Sequence, residues 1–147
     1  MVHALIIGTI LAMPRADVHA AEAQAATSLY YHLNEERRGR GLAPLALDAR
    51  LSEAAVKHVV DMSSQNYFAH ESASGESPFD RMREAGCSYR FAGENLALAP
   101  GEREADSALF ASAPHRRNTL SPNYRRVGIA VMFNADGELL FVEDFSD

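Results

Sequence analysis

Apolar and polar positions follow two rhythms along this chain, a helical one for most of its length and an alternating one at the end. From Ala21 to Arg40 the residues are good helix formers without Pro, and Leu29, Leu33 and Arg37 fall four apart on one helical face. Gly39 and Gly41 stop that helix. An extended stretch through Ala43-Pro44-Leu45 leads to Asp48, an N-cap for a second helix through Ser63 whose apolar face is Leu51, Ala55, His58, Val59 and Met62. Glu53 and Lys57 lie four apart on its opposite, solvated side, in the favourable order for an ion pair.

Ser77-Pro78-Phe79-Asp80 joins an N-cap, a Pro at the first helical position and an acid at the third, which predicts a short helix ended by Gly86. Ala92 to Ala99 is an apolar stretch broken by Glu94 and Asn95 and reads as a strand with a polar edge. A fourth helix is predicted over Glu102 to Ser112. Val127 to Phe133 and Leu139 to Phe145 then flank Asn134-Ala135-Asp136-Gly137 as a hairpin. Four helices, a terminal hairpin and no βαβ alternation give an α+β class, helices packed on an antiparallel sheet.

The N-terminus follows a third pattern. Ala4 to Met13 is an apolar run, and Val18-His19-Ala20 or Ala21-Glu22-Ala23 offers small residues at the −1 and −3 positions of a cleavage site. Residues 1–20 thus read as a secretory signal peptide, with a buried N-terminal helix as the alternative. The run is shorter than the ~20 residues that cross a bilayer, so no transmembrane span is expected after signal removal.

Length and charge narrow the classes further. A chain of 147 residues that is 47% hydrophobic holds one domain, placed at 21–147, and a net charge of −6 argues against a nucleic-acid partner. Cys87 is the only cysteine, so no internal disulfide forms; beside Gly86 it reads as a small buried apolar residue rather than a nucleophile.

Six segments, in order from Ser28 to Phe145, resemble the bacterial-type CAP superfamily (cysteine-rich secretory protein, antigen 5, pathogenesis-related 1) and its SCP-like domain. They are Leu33 to Arg37 with Gly41 to Leu45; the helix from Leu51 to Met62 running into Asn66-Tyr67-Phe68-Ala69-His70; and Gly75 to Gly86. Gly93-Glu94-Asn95-Leu96-Ala97 and Ser112-Ala113-Pro114-His115-Arg116-Arg117-Asn118-Thr119-Leu120 follow, then Tyr124 to Val131 with the hairpin. The resemblance implies an exported three-layer α-β-α sandwich, its small antiparallel sheet between helices, with a cleft lined by two His and one or two acids. His70, Glu94 and His115 match those positions. Ser112 stands where eukaryotic relatives carry a second cleft Glu, Leu109 replaces a common Trp, and the family's disulfides are missing.

Two imidazoles and a carboxylate suit a divalent metal, Zn above all, with His70 and His115 as ligands and Glu94 as a third or as general base. The same groups could instead form a closed hydrogen-bond network that pins the strand to its neighbours. His58 reads as a core histidine, His32 as exposed, and Asn34 and Arg37 as structural. Ser112 has no Gly-x-Ser-x-Gly elbow to make it a nucleophile. Three functions follow: a secreted or cell-envelope binding module for a cell-wall glycan, a lipid or sterol, or a partner protein; a metal-dependent hydrolase; and a structural or interaction domain. The first is favoured because the resembling family is mostly associated with binding and the second acid is missing.

Overall fold

The computed structural model describes residues 13–147, so nearly all of the Ala4–Met13 run lies outside the described residues. Helix α1 (Arg15–Arg38) begins six residues earlier than its periodicity suggests and buries Ala25, Leu29, Leu33, Asn34 and Arg37. Strand β1 (Ala46–Leu47) precedes α2 (Ala49–Gln65), whose N-cap Asp48 accepts from the Arg50 and Leu51 amides. Helix α3 (Pro78–Glu84) starts with a complete capping box: Ser77 and Asp80 satisfy each other's backbone N–H. Strand β2 (Ala92–Ala99), α4 (Glu102–Ala111), α5 (Ala113–Thr119), β3 (Arg126–Phe133) and β4 (Leu139–Ser146) complete the chain. The short helix α5 has no counterpart in the apolar periodicity, because only Thr119 of its residues is buried.

The sheet order is β1-β3-β4-β2. It is antiparallel except that β1 pairs parallel with β3, a departure from the all-antiparallel expectation. Alternation sorts its side chains into two layers. Val127, Ile129, Phe141, Phe145, Ala97 and Ala99 pack against α1 and α4. Leu96, Ala130, Leu140 and Val142 pack against Ala55, Val59 and Met62 of α2. The result is the three-layer α-β-α sandwich.

Close approach of α2 depends on one glycine. A Cβ on Gly128 would lie 2.1 Å from the Leu51 carbonyl carbon and 2.2 Å from the Ser52 nitrogen, both backbone atoms. Asn34 and Arg37 are structural, as expected: Asn34 exchanges two hydrogen bonds with the Leu45 backbone, and Arg37 donates to the carbonyls of Ala43, Thr119 and Ser121. Cys87 is buried in a small cluster with Leu51, Ala54 and Met82, and burial pushes its thiol pKa up. Lys57 does not pair with Glu53 along the helix; it reaches Glu76 and Glu84.

Candidate functional site

Strand β2 lies at the sheet edge, and its consecutive residues Glu94 and Asn95 point to opposite faces. On the α2 side, Glu94 is buried and paired twice. Its Oε1 accepts from His70 Nδ1 at 2.7 Å, and its Oε2 accepts from Arg81 Nη2 at 2.9 Å, with Arg81 almost completely buried. Arg81 also donates to the carbonyls of His70 and Glu76, fixing the loop that carries the histidine. Because the carboxylate can only accept, His70 carries its proton on Nδ1 and keeps Nε2 for contacts outside the fold. The His70 ring is half exposed, at 53%.

On the other side, Asn95 donates to the His115 carbonyl and to Glu143 Oε2, while Asn118 donates to Asn95 Oδ1 and to the Glu94 carbonyl. This network seats α5 against β2. His115 is half-buried, and its pKa is lowered by burial and then by the charge of His70. Both imidazoles therefore flank one strand edge. Gly93 makes the seating possible, since a Cβ there would come within 2.5 Å of Tyr124 Oη and 3.0 Å of Asn118 Oδ1.

Two further acids stand behind the cleft. Asp144 is directly opposite Glu94, and Glu143 directly opposite Asn95. Burial raises Asp144 well above the usual carboxylate range, helped by the charge of Glu94. Neither Asp144 oxygen has a partner as a carboxylate, whereas the protonated acid can donate to Glu94. Burial likewise raises Glu143 to about 7, against the lowering effect of its Asn95 bond. His58 is fully buried and its pKa is lowered by desolvation; its Nε2 donates to the Ala69 carbonyl at 2.9 Å.

The structure thus brings His70, Glu94 and His115 to one strand edge, and of the two histidines only His70 is bonded to Glu94. Ser112 is the junction of α4 and α5 and makes no side-chain capping bond. Arg81, Glu143 and Asp144 escape the sequence reading, and Asn95 and Asn118 enter it only within the quoted segments, with no role assigned. One signal was available: two adjacent acids inside an apolar strand, Leu-Leu-Phe-Val-Glu-Asp-Phe-Ser, must bury at least one carboxyl on each face.

A three-ligand zinc site does not fit these residues. Each Glu94 oxygen already accepts a hydrogen bond, so a metal held through Glu94 would compete with Arg81 or His70, and two imidazoles alone fall short of the three protein ligands of catalytic zinc. Among the described residues no group of three or more His, Cys, Asp or Glu is placed to hold a metal ion.

Residues 30–145 match the cysteine-rich secretory protein family, CAP. The chain belongs to that family. It is 42% identical over 97 residues to the uncharacterized protein YkwD of Bacillus subtilis (strain 168), an alignment spanning 65% of this chain and 38% of that protein. It is 35% identical over 100 residues to the uncharacterized membrane protein YlbC of the same strain, spanning 67% of this chain and 29% of that one. The chain therefore covers less than half the length of these curated relatives. The CAP fold is shared with the crystal structure of an extracellular SCP-domain protein from Bacillus anthracis, at a TM-score of 0.83 and 23% identity, covering 91% of this chain and 44% of that one. An outer surface protein from Borrelia burgdorferi superposes at a TM-score of 0.78 and 20% identity, covering 84% and 92%.

Proposed function

We propose that this CAP domain is a secreted or cell-envelope binding module that uses the His70–His115 cleft to recognise an extracellular ligand without turning it over. The ligand classes that suit it are a cell-wall glycan, a lipid or sterol, and a partner protein. The observation that carries the reading is the occupancy of Glu94. With one oxygen on Arg81 and the other on His70, it is committed to holding the fold and orienting the imidazole. Ser112 supplies no second acid. A hydrolase needs an activated water, a general base and stabilisation of developing charge, and two imidazoles do not furnish all three.

Export is supported by the N-terminal apolar run and by the extracellular and outer-surface descriptions of the two structural neighbours. One observation favours the hydrolase instead: a carboxylate 2.7 Å from His Nδ1 is the geometry that readies the opposite ring nitrogen as a base.

Co-sedimentation of the purified domain with cell envelopes isolated from the producing bacterium tests the binding reading. Wild type should be retained, and a His70→Ala/His115→Ala variant should lose at least about tenfold in affinity while keeping a cooperative thermal transition. Equal retention of both proteins would remove the cleft from the binding surface.

A further inference from the structure

Away from the histidine cleft, a cavity of about 800 Å³ opens between α2, the loop 72–76 and α3. That volume lies within the ~300–1,000 Å³ of small-molecule sites. Neither histidine of the cleft lines it, nor does Glu94. Its walls carry Lys57, Ser64, Ser72, Ser74, Glu76 and Glu84, with Val60 as an exposed apolar patch. The loop is preformed, closed by hydrogen bonds between Ser72 and both Gly75 and Glu76.

The state of its charges restricts what can bind. Lys57 is clamped between Glu76 and Glu84, Arg83 pairs with Asp80, Arg81 pairs with Glu94, and Asp61 accepts from Gln65 and Tyr67. A charged ligand would have to compete with these pairs. A neutral one rich in hydroxyls needs only what they leave over: the third ammonium proton of Lys57, spare lone pairs on Glu76 and Glu84, and the serine hydroxyls.

Arg81 and His58 stand in its wall at 1% and 0% exposure; their unpartnered nitrogens, Arg81 Nε and His58 Nδ1, are sealed inside the fold and take no part in ligand contact. Val60 and the aliphatic stems of Lys57 and Arg83 offer apolar surface for the C–H face of a sugar ring.

We propose that the α2–α3 cavity binds a neutral saccharide. The site is independent of what the histidine cleft does. Amide NMR spectra of the full chain titrated with chitotriose and with cellotriose test it. At least one sugar should shift Lys57, Ser72, Ser74, Glu76 and Glu84 saturably, with a Kd tighter than about 10 mM, while citrate and spermidine give no saturable shift there. Glu76→Gln should weaken binding about tenfold and Ser74→Ala measurably, while His70→Ala leaves it unchanged. No saturable shift with either sugar, saturation by citrate or spermidine, or sugar shifts confined to the surroundings of His70 and His115 would each overturn the proposal.

Discussion

Glu94 and Asp144 face each other across β2 and β4, two buried carboxyl groups beside one buried guanidinium, Arg81, which bonds Glu94 alone of the two. Burial first, and then the charge of Glu94, hold Asp144 well above the usual carboxylate range, so Asp144 keeps its proton. Asp144→Asn, which swaps one neutral group for another, should therefore alter stability by less than about 1 kcal/mol. Glu94→Gln lets Asp144 ionise in its place and should cost less than the double variant, which strands Arg81 and should lose about 3–5 kcal/mol. Denaturant unfolding of the two single variants and the double checks this, and a double variant equal to the sum of the singles would contradict this arrangement.

Across the sheet, the Glu143 carboxyl is held up near 7 by burial. Its folded pKa lies above the unfolded value, so the folded state binds the extra proton between about 4.5 and 7. Its contribution is therefore fully favourable below the unfolded pKa and is lost as pH rises through 7. Glu143→Gln keeps an acceptor for Asn95 without the titration. The variant should match wild type in Tm at pH 5 and exceed it at pH 8; a difference that does not change with pH would contradict the assignment.

Gly128→Ala places a methyl group into the Leu51–Ser52 backbone, which no rotamer change can relieve. The strand or α2 must shift, and overpacking of this kind costs about 1–3 kcal/mol or more. A thermal transition unchanged by the substitution would show that α2 does not sit as close as the structure has it.

Glu22 bears on processing. It is buried, and its Oε1 accepts from the Phe133 backbone N–H at 3.0 Å, closing the end of β3. Residues 13–17, 19 and 20 are exposed. Cleavage after Ala20 preserves the Glu22 bond; cleavage after Ala23 would remove it. Mass spectrometry of protein from the native host should give a mature chain starting at Ala21, and intact protein beginning at Met1 would contradict export through this signal.

The elements with strong periodicity or explicit caps were legible from residues alone: α2 from Asp48 and its apolar face, α3 from Ser77 and Asp80, β2 and the β3–β4 hairpin from their apolar runs. Helix α5 was not, because it buries so little of itself that no stripe marks it. The pairing of Glu94 with His70 and Arg81 was hidden for a different reason. These residues lie 24 and 13 positions from Glu94, and only the folded loop 66–77 and the capped start of α3 bring them to it. Resemblance placed His70, Glu94 and His115 at one cleft, while Asp144 needed the strand register.

If Glu94 is committed to Arg81 and His70, the cleft recognises its ligand without hydrolysing it. Product release from peptidoglycan, casein, an activated ester and an activated phosphodiester, with and without added zinc, tests it most directly. The arrangement predicts rates equal to the protein-free background for wild type and His70→Ala alike. Zinc-dependent hydrolysis by wild type that disappears in His70→Ala would contradict it and make this CAP domain an enzyme.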